Sequence, residues 1–130
     1  MAIKVTGSTV IDDNKLFLPN NSAETSTTVS ISSNTLTLDL NTAAVFNVSL
    51  NANINTITVS NVQASGRASS FVLVFLPDGN IRSVIWPESF IWPNDTAPDL
   101  TSAFGKKDVF VFFTTDGGTT WQAFISGQNL

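Results

Sequence analysis

The residues that could do chemistry in this chain are carboxylates, hydroxyls and lysines, because it contains neither cysteine nor histidine. Their absence excludes thiol nucleophiles, disulfides and triads with a histidine base, and it removes the ligands of most zinc sites. The sequence also has no Gly-x-Ser-x-Gly motif and no glycine-rich phosphate loop before a predicted helix. We therefore predict a protein that is not an enzyme and that holds no cofactor and no metal.

Paired acids are the remaining catalytic option, since glycoside hydrolysis needs two carboxylates that face each other across the bond. Most of the 10 acidic residues instead lie in predicted turns, where aspartate commonly accepts hydrogen bonds from backbone amides. Glu88, which follows Pro87 in an aromatic stretch, is the candidate acid of an enzyme hypothesis that we rank last. Residues 12–14 offer oxygen ligands but lack the spacing of a calcium loop.

Tryptophan is the residue type here that is best suited to binding. Trp86 and Trp92 each precede a proline, and Trp121 follows the last predicted turn. Exposed indole rings stack on sugars and are frequent in protein interfaces, but a small domain with 10 phenylalanines also needs large core residues. We expect at least two of the three in the core and keep Trp86, Trp92, Trp121 and Phe17 as candidate contacts to a ligand or partner.

Charge and hydropathy narrow the classes of partner. The net charge is −4, and the six basic residues are scattered, which argues against nucleic acid and against anionic membranes. The first residues lack the apolar segment of a signal peptide, and the longest apolar run, residues 71–76, is too short to cross a bilayer. Only 12% of residues are charged, so the surface is built from Ser, Thr and Asn, as in many proteins that bind proteins or sugars.

The elements that must position these residues are β-strands, because apolar and polar residues alternate and helical periodicity is hard to find. Two further runs, residues 71–76 and 109–113, are apolar on both faces and predict central strands covered on both sides. One face would meet the domain's own core and the other a second subunit. The alternating segments are residues 28–32, 35–40, 46–50 and 57–59.

Turn signals divide these strands and set the domain organisation. Pro77-Asp78-Gly79-Asn80 and Asp116-Gly117-Gly118 predict tight turns, the second within a hairpin. No internal repeat of solenoid or propeller length is visible. Short strands at this spacing predict an all-β sandwich, jelly roll or barrel over residues 27–130. Residues 1–26 would form an arm or edge strand; an ordinary first strand and loop is the alternative.

Three segments together resemble a β-domain that is common in virion proteins of tailed phages, especially marine and cyanobacterial ones. They are SVIWP at 83–87, WPNDTAP at 92–98 and FFTTDGGTTW at 112–121. The segments LDL at 38–40 and FNVSLNANI at 46–54 are similar to the same family, and TVIDD at 9–13 resembles a segment near the ends of tail-fibre repeats.

The resemblance implies a jelly-roll-like antiparallel β-sandwich, often trimeric, with no shared catalytic residues. Such domains end long tail fibres, and small related proteins decorate capsids. This chain lacks a repetitive shaft, so we expect a capsid decoration or cement protein on the virion surface, made in a bacterial host cytoplasm. Its partners would be itself, as a homotrimer, and the major capsid protein. The alternative is a tail-fibre tip or baseplate module that binds host-surface glycans.

Overall fold

A computed structural model describes residues 3–5, 8–11 and 24–130 of the chain. These residues form ten β-strands and one short 3-10 helix, Pro93–Asp95, and they include no α-helix. The strands are β1 (Ile3–Val5), β2 (Ser8–Ile11), β3 (Ser26–Val29), β4 (Thr35–Asp39), β5 (Val45–Leu50), β6 (Thr56–Ser60), β7 (Ser69–Pro77), β8 (Phe90–Ile91), β9 (Asp108–Thr114) and β10 (Trp121–Gly127).

Six strands make one mixed sheet in the order β3-β5-β7-β9-β10-β8. β3, β5 and β7 run parallel, β9 pairs antiparallel with β7 and β10, and β8 runs parallel to β10. β4 and β6 pair in parallel as a second sheet, and β1 and β2 form an antiparallel pair. Successive strands from β3 to β7 alternate between the two sheets, so the chain winds in coils of about 20 residues.

The alternation in the sequence explains which faces are buried. In β4, Leu36 and Leu38 are fully buried while Thr37 between them is exposed, and β7 buries Phe71, Leu73 and Phe75 in the same way. The two sheets therefore share one apolar core between the β4–β6 pair and the inner face of the large sheet. This two-layer packing confirms an all-β fold.

The antiparallel pairing that we expected throughout holds for the β1–β2 pair and for the two neighbours of β9, but not for the other strand pairs. β7, β9 and β10 are antiparallel neighbours, whereas β3, β5 and β7 and the β4–β6 pair are parallel. Alternating residues specify which face of a strand is buried, but either direction of pairing satisfies the same alternation. The jelly-roll arrangement is therefore not established by these strand pairings.

The predicted turns and central strands are confirmed. Residues 71–76 and 109–113 lie in β7 and β9, the two middle strands of the six-stranded sheet. Gly79 and Gly117 adopt the left-handed backbone conformation, with φ of 94° and 77°, in the turns predicted around them. β3 begins at Ser26, the end of the predicted arm, and Phe17 and residues 12–14 lie outside the described residues.

Candidate interaction surface

The tryptophans lie in an aromatic cluster at the centre of the core. Trp92 and Trp121 are 6% and 2% exposed, so two of the three occupy core positions, as expected. Trp121 packs edge-on against Phe71, with ring centroids 5.1 Å apart, and Trp92 packs edge-on against Phe110 at 5.7 Å. The rings are thus covered by the protein's own side chains; whether any of them contacts a ligand or partner stays a prediction.

Trp86 differs from the other two because its side chain is only partly buried. Its ring lies 4.9 Å from that of Trp92 and 5.6 Å from that of Phe110, so it closes the edge of the cluster. The buried indole N–H of Trp92 has no hydrogen-bond partner within the described part of the chain. The Trp-Pro segments of the sequence thus serve packing in this fold, and Pro93 begins the short 3-10 helix that follows Trp92.

Asp116 shows what the turn carboxylates do. Its carboxylate accepts hydrogen bonds from the backbone N–H of Thr120 at 3.0 Å, from the Thr120 hydroxyl at 2.7 Å and from the Thr114 hydroxyl at 2.8 Å. These donors favour the charged form and lower the pKa of Asp116 to about 2, the backbone N–H of Thr120 having the largest effect. The carboxylate therefore fixes the hairpin between β9 and β10.

Asp78 and Asp39 act in the same way in other turns. The Arg82 guanidinium contacts the Asp78 carboxylate at 2.5 Å, and this hydrogen bond holds the pKa of Asp78 well below its ordinary value. Asp39 accepts hydrogen bonds from the Asn61 side chain and the Asn41 backbone, which lower its pKa in that order of importance.

Asp108 is the one buried acidic residue among those described, at 1% exposure. It accepts hydrogen bonds from the backbone N–H groups of Thr101 at 2.7 Å and Asn129 at 3.0 Å. Burial of a carboxylate is tolerated when donors of this kind replace water. Asp108 therefore ties the C-terminal residues to the loop before β9.

Glu88, the candidate acid of the enzyme hypothesis, is exposed. Across the described residues, no three His, Cys, Asp or Glu side chains are grouped as a metal site would require. In the same residues, no helix is long and apolar enough to cross a membrane.

The most distinctive surface is the outer face of the six-stranded sheet, meaning the side turned away from the core. Strand register places Val45, Val72, Val111 and Phe124 side by side across β5, β7, β9 and β10. A second row joins Phe113 of β9 to Gln122 of β10 and Ile91 of β8. The large side chains on this face remain accessible: Leu76 is 37%, Phe113 39%, Ile91 46% and Phe124 50% exposed.

No described residue on this outer face carries a charge. Its polar members are hydroxyl and amide side chains: Ser26, Thr28, Asn47 and Ser49 on the side of β3 and β5, Ser70 beside Phe113, and Gln122 between Phe113 and Ile91. Soluble monomers rarely leave a contiguous apolar area of this kind in water, and such areas commonly mark interaction sites. The continuous apolar runs of β7 and β9 in the sequence are the signal that predicts this face.

Neither the family models, the curated proteins nor the solved structures searched match this chain.

A second group of exposed apolar residues lies in the loops after β7 and before β9. Ile81 and Phe104 are 90% and 83% exposed, the highest values among the large apolar residues described. A Cβ on Gly79 would lie 3.7 Å from the Cβ of Phe104, so the two loops touch. The Asp78–Arg82 pair and the hydrogen bond from the Asn80 backbone N–H to Asp78 hold the first loop in shape. Ile81 is thus presented on a well-defined turn.

Proposed function

We propose that this protein is a structural component of a tailed-phage virion, a decoration or cement protein that binds the outside of the capsid and stabilises it. The observation that carries the proposal is the uncharged apolar outer face of the sheet, which suits permanent association better than reversible binding of a small polar ligand. The sequence resemblance described above supports the same setting.

A cement protein needs contacts to its own copies and contacts to the shell. The outer face supplies one surface, and the loops that carry Ile81 and Phe104 supply a second. We assign self-association to the first and the major capsid protein to the second. The trimer and the jelly-roll likeness belong to this proposal, as features of the domain that the sequence resembles. Because a face that packs against its own copy is closed by two chains, a trimer needs a further contact besides the outer face.

The test is made on particles of the phage that encodes the chain. Copy number from quantitative mass spectrometry should match the many subunits of a shell, and particles without the protein should lose DNA at a lower temperature than particles with it. The Ile81→Ser, Phe104→Ser double variant should bind such particles more weakly, whereas Thr37→Ser, at an exposed position on β4, should bind normally. Equal heat resistance with and without the protein would exclude a cementing role.

The same measurement separates the alternative function. A few copies per particle, located on the tail, would instead favour a glycan-binding module. In that case the indole to replace is that of Trp86, because it is only partly buried whereas Trp92 and Trp121 are buried. Loss of host adsorption in Trp86→Ala with an intact fold would support it.

A further inference from the structure

We propose that copies of this chain associate through the outer face of the six-stranded sheet, outer face against outer face. This inference deepens the proposed function and rests on it for its biological setting. The middle of that face carries four valines on β7 and β9, namely Val72, Val74, Val109 and Val111, and a second copy would cover them.

The lack of charge on the outer face favours a second copy of the chain as its occupant. Among the described residues, the outer face has no group that could pair with a charge on a partner, and burying an unpaired charge against it would carry a large desolvation penalty. The occupant must therefore be uncharged where it meets the face. A second copy meets this condition, because its own outer face is uncharged over the same area, in a chain whose net charge is −4.

The area of the outer face is large enough for a protein interface. With strands about 4.8 Å apart and about 3.3 Å per residue, the four longer strands and the two edges span about 500 Å² of face in projection. Two copies would then bury about 1,000 Å², which is the lower bound for a specific protein interface. A small ligand would leave most of that face in water.

The shape of the outer face suits packing against another sheet. Valine side chains are short, so the central rows on β7 and β9 form a low surface that another sheet can approach to the usual sheet-to-sheet distance of about 10 Å. The longer side chains of Leu76, Phe113 and Phe124 lie around those valines. Gln122 and Ser70 lie in the row of Phe113, where they can form hydrogen bonds between copies. An apolar centre with a polar margin is typical of stable interfaces.

The experiment uses the purified full chain without any phage particle. Multi-angle light scattering should give the mass of an oligomer for the wild type. Phe124→Lys introduces a charge on the outer face at a side chain that is already 50% exposed, so the fold should tolerate it. We expect this variant to weaken self-association by about 100-fold or more. Thr37→Lys, the same charge at an exposed position on β4, is the matched control and should remain oligomeric.

Val111→Lys is the second variant, placed in the central row. Near-ultraviolet circular dichroism of the buried tryptophans checks that each variant is folded. A folded wild type that is monomeric at high concentration would overturn the proposal and indicate another occupant, such as residues 1–23 of the same chain. Oligomers that persist in both folded lysine variants would also overturn it, because the contact would then lie elsewhere.

The outcomes separate this inference from the proposed function. Self-association through the outer face, with particles equally heat-resistant without the protein, would leave the interface standing and remove the cementing role. A chain that is monomeric in solution but still stabilises particles would remove the proposed interface and leave the cementing role standing.

Discussion

At the scale of single residues, the hydroxyl groups of Thr114 and Thr120 and the carboxylate of Asp116 form a small network across the turn between β9 and β10. The Thr114 oxygen also accepts hydrogen bonds from the backbone N–H groups of Asp116 and Gly118, at 3.4 Å and 3.2 Å. The turn is thus held from both strands. Such local side-chain bonds to the backbone replace the hydrogen bonds that a tight turn leaves unmade.

Asp116→Asn should make the free energy of unfolding less sensitive to acid pH. The pKa of Asp116 is about 2 in the folded chain and 3.8 ordinarily, so the charged group stabilises the fold above about pH 4. That contribution is lost as the pH falls through the folded value. We expect a lower urea midpoint for the variant at neutral pH, and a difference from wild type that narrows between about pH 4 and pH 2.

The control for this measurement is Glu88→Gln, a change at an exposed carboxylate on another loop. It should follow the wild-type curve. A constant difference between Asp116→Asn and wild type at every pH would contradict the assignment of the effect to the charge.

The sequence predicted the role of these residues in part. Aspartate in a glycine-containing turn predicts a hydrogen-bonding role, and the structure has it. The buried position of Asp108 was not predicted, because its partners, Thr101 and Asn129, are distant in sequence and come together only when the chain end returns to the start of β9. Nothing local in the sequence distinguishes it from an exposed aspartate.

At the scale of elements, the hairpin turn depends on two glycines with positive φ. Gly118 has φ of 84°, and an added Cβ would lie 3.3 Å from the Trp121 indole nitrogen and 3.4 Å from Val62. The turn therefore excludes a side chain both by its backbone conformation and by its contacts. Gly105 has a similar φ of 80°, with nothing within 4 Å of an added Cβ.

Gly118→Ala and Gly105→Ala separate these two effects. Both variants place alanine in the left-handed region, which costs about 1–2 kcal/mol. Gly118→Ala should lose more free energy of unfolding than Gly105→Ala, since it also crowds Trp121 and Val62. Urea unfolding followed by tryptophan fluorescence measures both. Equal losses would mean that the turn moves to admit the methyl group.

The strands themselves were well predicted and their partners were not. Alternation placed β4, β5 and β6, and the continuous apolar runs placed β7 and β9, within one or two residues of their ends, because the burial of each strand leaves its own local pattern. Which strands pair, and in which direction, depends on contacts between residues about 20 positions apart. Two coils share a short pattern, Thr-Leu-Thr-Leu at 35–38 and Thr-Ile-Thr-Val at 56–59, but two copies of four residues do not by themselves predict how the strands pair.

At the scale of the whole molecule, the outer face links stability to association. If copies cover that face, the folded form gains stability as protein concentration rises, because only folded chains associate. The midpoint of thermal unfolding should increase by several degrees between about 5 µM and about 200 µM protein. Differential scanning calorimetry of the wild type measures this shift.

Phe124→Lys should unfold at the same temperature at both concentrations, and Thr37→Lys should behave like the wild type. A wild-type midpoint that does not change with concentration would argue against association of folded chains. This readout needs no assumption about the number of copies.

The parallel winding of β3 to β7 has a consequence for the order in which the chain folds. Parallel neighbours cannot be joined by a tight turn, so each of these pairs forms only after a long loop has closed. β9 and β10 are joined by six residues and need no such closure. We infer that the C-terminal hairpin forms first and that β7, then β5 and β3, add to its edge. The chain would thus fold from its C-terminal half, which the ribosome makes after the N-terminal half.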